Sequence, residues 1–194
     1  QFKFVSRNDY QKKENSDFLE SLKAQYGDFY PIPEGGTNSL AVKGCEEILA
    51  SSDSKFDVIC CPVGTGGTVA GIANSAMSVQ RVLGFPALKG DFLNEDIRKF
   101  ALKENWKLQP DYHFGGYAKV TPSLIHFIND FSEKTHIPLD SVYVGKMIFG
   151  ILDLVEKDHF RPKTKILAIH TGGLQGIAGM NQRLKMKNLP LIRL

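Results

Sequence analysis

Residues 57–75, DVICCPVGTGGTVAGIANS, constrain the fold more than any other stretch of this chain. The apolar, β-branched run Val58-Ile59-Cys60-Cys61 predicts a buried strand. It breaks at Pro62 into Gly64-Thr65-Gly66-Gly67-Thr68, and a helix of small residues is predicted from about Val69. Strand, glycine loop and helix together make an anion site in α/β folds. The glycines let successive N–H groups point into one concavity, and the helix N-terminus adds partial positive charge. Thr65 and Thr68 can add hydroxyl donors. The expected occupant is the phosphate of a ligand or cofactor. The other reading of the same residues is a tight strand-to-helix turn packed close to a neighbour.

The rest of the chain alternates strands with helices. Residues 1–5 (QFKFV) read as a strand without a lead-in, as in a chain cut inside a larger domain, and residues 6–15 as polar loop. Ser16 or Asp17 caps a helix through about Gln25, with Phe18, Leu19 and Leu22 on one face. Tyr30-Pro31-Ile32-Pro33 is extended and suits a domain crossing, so residues 1–30 and 31–194 are expected to belong to different domains. Glu34-Gly35-Gly36-Thr37-Asn38 forms a second glycine turn before a helix to about Ala50. Arg81 to Phe85 is a short strand, and Leu93, Ile97, Phe100 and Ala101 mark an amphipathic helix. An aromatic loop, DYHFGGYAKV, precedes Thr121-Pro122, an N-cap followed by proline at the first helical position. A helix is predicted from about Lys146 to Lys157, and a last buried strand at 166–169 ends in His170-Thr171-Gly172-Gly173 before another small-residue helix. This alternation predicts a mainly parallel sheet covered on both faces. Ligands of such sheets sit at the carboxyl ends of the strands, where both glycine turns lie.

Composition narrows the partners. No apolar run approaches the length of a membrane span, about 20 residues, and no signal-peptide pattern opens the chain. Three cysteines, two of them adjacent in a strand, argue against a disulfide framework and fit the cytoplasm. A net charge of +3 is too mild and scattered for a nucleic-acid surface. Metal spacing is absent, and the five histidines are dispersed. His170 reads as a satisfied core histidine, and Asp153 and Glu156 as a solvated face. The dinucleotide pattern fails because Val69 stands where its third glycine belongs, and no Walker loop or G-x-S-x-G elbow is present.

Taken together, GTGGT after a strand, HFGGYAK, LDSVYVGKM and AIHTGG resemble the 1-aminocyclopropane-1-carboxylate deaminase / D-cysteine desulfhydrase family. These are pyridoxal-phosphate enzymes of the tryptophan synthase β-like fold (fold type II), and the match runs in order along nearly the whole chain. The resemblance implies pyridoxal 5'-phosphate as cofactor and a small amino acid as substrate, with a homodimer left open. It places the cofactor phosphate at Gly64, Thr65, Gly66, Gly67 and Thr68. It puts Tyr117 and Tyr143 against substrate or cofactor, Tyr143 as a candidate for proton transfer, and Thr171 at the edge of the cofactor ring.

Two departures follow from the same comparison. The family's Schiff-base lysine lies in a G-N-K-x-R-K-L-like segment, and none occurs in these 194 residues. Lys43, Lys89, Lys119 and Lys146 all read as surface or packing residues. The chain is therefore expected to correspond to the carboxyl-terminal part of such an enzyme and to be inert by itself. Second, Val144 follows Tyr143 where the deaminases carry glutamate and the desulfhydrases a hydroxyl residue, near the pyridine nitrogen. Valine offers no hydrogen bond there. The alternatives are a non-enzymatic phosphate-binding domain that keeps the fold, or a doubly wound nucleotide- or sugar-phosphate enzyme.

Overall fold

The structure is a computed structural model describing residues 2–193. Four parallel strands run in the order β3-β2-β1-β4: β1 (Val58–Val63), β2 (Arg81–Pro86), β3 (Trp106–Leu108) and β4 (Ile166–Ala168). Val58 pairs with Arg81 on one side and Ile166 on the other, so β1 is central, paired with β2 along its full length and with β4 from Val58 to Cys60. Pro62 lies within β1 rather than ending it, and the strand runs on to Val63.

Alternation along β1 separates two cores. Val58 and Cys60 face one side, with Leu83 and Phe85 of β2. The helices there are α6 (Pro122–Thr135), α7 (Val144–Glu156) and α8 (Ile177–Met186), through Leu124, Ile128, Met147, Ile151 and Leu184. Ile59, Cys61 and Val63 face the other side, against α3 (Ser39–Cys45), α4 (Gly67–Ser75) and α5 (Leu93–Arg98). All six β1 residues are buried, which accounts for an unbroken apolar run where a one-sided sheet would alternate. Burial pushes the Cys60 thiol up to about 12 and Cys61 higher still. Gly71 lets α3 and α4 touch, since a Cβ there would stand 2.4 Å from Cys45 Cβ.

Several expectations need correcting. Gln1 lies outside the described residues. Phe2, Lys3, Phe4 and Val5 have no strand partner and are exposed, so the apolar alternation there does not make a strand. The polar stretch after them folds into α1 (Arg7–Gln11), capped by the Ser6 hydroxyl, which accepts from Asp9 N–H. α2 (Ser16–Tyr26) follows, with Asn15 at its N-cap and Phe18, Leu19 and Leu22 half-buried as expected. α3 ends at Cys45, short of Ala50, and α7 begins at Val144, two residues early. β4 is an edge strand, half-buried at best, so it is not the buried strand its sequence suggests. Burial begins at Val42, and residues 2–41 join neither core.

Candidate cofactor cleft

A cleft of about 600 Å³ opens at the carboxyl ends of β1, β2 and β4. Its floor is the loop after β1, and α4 starts there. Gly66 has φ +95° and Gly67 begins the helix, so the chain turns sharply from the strand into α4. Among the described residues, no backbone or side-chain acceptor takes the N–H of Gly66, Gly67, Thr68 or Val69. Four open donors at a helix start are what an anion requires. The packing reading of these glycines also holds. A Cβ on Gly66 would meet Ile97 Cγ1 at 2.5 Å, and one on Gly67 would meet Thr37 Oγ1 at 2.8 Å. The Cβ side of each glycine faces protein, and both residues line the cleft.

The walls come from three other segments. The second glycine turn, with Gly35 at φ +70°, packs on Thr65, whose hydroxyl shares a 2.6 Å hydrogen bond with Thr37 Oγ1. Either hydroxyl can donate in that bond, so Thr65 can still offer its own proton to the cleft, and Thr68 has no hydrogen-bond partner for its hydroxyl among the described residues. Thr171, Gly172 and Gly173 form the side beyond β4. Tyr117 and Tyr143 form the third wall, with ring centroids 6.0 Å apart and planes at 67°. Tyr143 reaches over the floor: a Cβ on Gly64 would meet its hydroxyl at 3.3 Å. Burial, then the neighbouring Tyr117, push the Tyr143 phenol up to about 12, so it stays protonated at neutral pH. Glu34 is the one charged residue on the walls among the described residues, and it pairs with Lys13 at 3.2 Å.

Val144 is the exception among the expected site residues. Its side chain is wholly buried in the α6–α8 core and is not on the cleft wall, and its N–H is bound by Asp140. His170 is exposed, not a core histidine, though Nε2 bonds Pro138 O at 3.0 Å and Nδ1 accepts from Gly172 N–H. Asp153 is not merely solvated. It accepts from Lys157 and from the Tyr112 hydroxyl at 2.6 Å, and these hold its carboxyl below the ordinary range.

Two residues behind the tyrosines escaped the sequence reading. Asp140, 3% exposed, accepts the N–H groups of Val142, Tyr143 and Val144 at 2.7, 2.9 and 2.7 Å. Asp140 stands three residues before Tyr143, the α7 N-cap, which itself has no side-chain cap, so no ordinary capping spacing marks it in the sequence. Lys146 had a surface or packing reading, and the structure buries it completely, its Nζ bonded to the His113 and Gly116 carbonyls. Burial lowers its amine from 10.5 to about 8, against the opposing pull of Asp140. The folded value lies below the unfolded one, so the unfolded chain binds the extra proton between these values. Stability contributed by Lys146 therefore rises with pH from about 8 upward. Comparing wild type with Lys146→Met cancels the buried thiols, which titrate with the opposite sign. Denaturant melts should show the difference moving in favour of wild type by about 1 kcal/mol between roughly pH 7.5 and 9. A constant difference would contradict it.

No protein-family model matches the chain. A Pyrococcus horikoshii protein provisionally named 1-aminocyclopropane-1-carboxylate deaminase is 32% identical over 191 residues, covering 82% of this chain and 54% of that protein. The mitochondrial bifunctional D-cysteine desulfhydrase/1-aminocyclopropane-1-carboxylate deaminase of Arabidopsis thaliana is 32% identical, covering 81% and 45%. The crystal structure of an ACC deaminase homologue superposes with a TM-score of 0.76 at 26% identity, over 96% of this chain and 62% of that one. Threonine deaminase isoform 2 from Solanum lycopersicum, at 15% identity and TM-score 0.52, shares the fold. The parallel sheet and its covering helices are those of fold type II pyridoxal-phosphate enzymes. Within that class the chain is a homologue of the 1-aminocyclopropane-1-carboxylate deaminase / D-cysteine desulfhydrase family. It spans about half the length of these curated relatives.

Proposed function

We propose that the cleft seats pyridoxal 5'-phosphate and that the whole protein is a lyase acting on a small amino acid. The observation that carries this is the set of four amides at the start of α4, from Gly66 to Val69, that no acceptor among the described residues takes. They and the Thr68 hydroxyl would hold the phosphate. When bound, the cofactor supplies an electron sink for bond cleavage at the amino-acid α- or β-carbon. Tyr143, with its phenol protonated, acts as a proton donor above the floor, and Tyr117 narrows the space beside it. Thr171, on the wall beyond β4, would border the cofactor ring.

No lysine lines the cleft among the described residues, and Lys146 is bonded away beneath the 113–116 turn. These 194 residues should therefore bind the cofactor without a covalent link. Pyridoxal phosphate binding should be saturable and displaced by inorganic phosphate, and borohydride should leave no stoichiometric lysine label. Binding indifferent to phosphate would count against the site, and a label on Lys146 with turnover would overturn the non-covalent reading. The second reading is a phosphate-binding domain that keeps the fold without the chemistry. Sulfide release from D-cysteine by the protein at the length of its relatives separates the two.

The finer substrate reading rests on Thr171 alone, which lines the cleft and resembles the desulfhydrase pattern; Val144, buried in the core and off the cleft wall, lends it no support. D-cysteine should be consumed faster than the cyclopropane substrate at equal concentration, and faster formation of 2-oxobutanoate than of sulfide would reverse this assignment.

A further inference from the structure

The two cleft tyrosines come from segments far apart in sequence, and α7 joins them. Tyr143 stands at the α7 N-cap, and Lys146 follows three residues later, inside the protein. Lys146 Nζ donates to the carbonyl oxygens of His113 and Gly116, each at 2.9 Å. None of the ion pairs among the described residues includes it. A buried amine without a carboxylate partner needs such acceptors, and both lie in one loop.

That loop has an unusual backbone. Phe114, Gly115 and Gly116 have φ of 52°, 95° and 117°, and Ala118 again has 52°. Non-glycine residues in the left-handed region are held there by their surroundings. Within the turn, Gly116 N–H bonds His113 O at 3.0 Å and Gly115 N–H bonds His113 Nδ1 at 2.9 Å. Lys146 adds two hydrogen bonds that tie the turn to the core, beside the edge-on packing of Phe114 against Phe149 of α7, with ring centroids 5.0 Å apart. Tyr117 rides on it, 56% exposed, so packing alone does not fix its ring.

We propose that Lys146 is a positioning residue whose buried amine locks the 113–118 turn and thereby sets Tyr117 against Tyr143. α7 then fixes both tyrosines, one at its cap and the other through the lysine one turn on. The functional meaning rests on the proposed cleft, but the geometry can be tested without cofactor or turnover, so either idea can fail alone.

The experiment is tyrosine-ring NMR on wild type and Lys146→Met, which keeps the apolar stem and removes the donors. The chain has six tyrosines, at 10, 26, 30, 112, 117 and 143. In the folded variant the Tyr117 and Tyr143 signals should move and their inter-ring cross-peak should fall at least about threefold, while the other four stay in place. The amides of Gly115, Gly116 and Lys119 should exchange at least about tenfold faster, with α7 unchanged. A lysine that merely fills core space would leave both rings unmoved in the folded variant, and that result overturns the proposal. If the variant does not fold, wild-type exchange decides. Loop amides that open together with the first turn of α7 support the lock, and loop amides opening tenfold faster refute it.

Discussion

Asp140→Ala should remove about 3–5 kcal/mol of folding stability, a large share of what a domain of this size holds. The carboxylate takes three N–H groups at the start of α7, and its own backbone carbonyl takes a fourth, from Gly145, at 2.9 Å. Alanine leaves the first three without their acceptor, in a place too buried for water to replace it. Asp140 also backs the wall beyond β4: a Cβ on Gly173 would lie 3.0 Å from its Cγ, so the glycine turn closes directly onto it. Asp140→Asn should lose less, because one oxygen remains to accept. Urea melts of the two variants check the order, and an alanine variant within about 1 kcal/mol of wild type would show that the cap is dispensable.

Gly66→Val should weaken phosphate and pyridoxal phosphate binding by at least about 100-fold and cost roughly 2–4 kcal/mol of stability. Two independent demands meet at this residue. Its φ of +95° excludes a β-branched side chain, and the space where a Cβ would sit is filled by Ile97. Relieving either conflict rotates the peptide and displaces the amides of the loop. Gly179→Ala is the control. It lies inside α8 with nothing within 4 Å of a Cβ, so alanine there should stabilise by about 1 kcal/mol and leave binding unchanged. Equal losses in both variants would argue against an anion seat at Gly66.

The parts of this fold written in local chemistry were legible. The run at 58–61 gave the central strand, the glycines gave the turn, and Thr121-Pro122 gave the start of α6, where Thr121 does accept from Leu124 N–H at 3.2 Å. Parts that depend on distant partners were not. Phe2 to Val5 alternate like a strand yet lack a ladder to join, and β3 has only three residues, too few for a period to show. Ser6 and Asp9 did carry a capping signal for α1, and it was missed. The cleft was legible as a list of Gly64 to Thr68, Tyr117, Tyr143 and Thr171, which the fold brings around one space. Val144 differs because the first turn of α7 is buried on every side, and with Gly145, Lys146 and Met147 it forms an unbroken buried run. No periodicity marks which of those residues faces outward. Lys146 could not be read at all, since its acceptors lie some 30 residues away in a loop whose left-handed turns are set by tertiary contacts.

The two-sided burial of β1 has a practical consequence for spectroscopy. Cys60 and Cys61 are sealed on opposite faces of the sheet with their thiols held protonated, which leaves them inert to alkylation in the folded state. Cys45, half-buried and on the cleft wall, is the remaining thiol of the three. A maleimide or a trifluoromethyl reagent added to the native protein therefore has one destination, beside the second glycine turn. Occupancy of the cleft can then be followed as protection of that thiol, or as a fluorine shift, in unmutated protein.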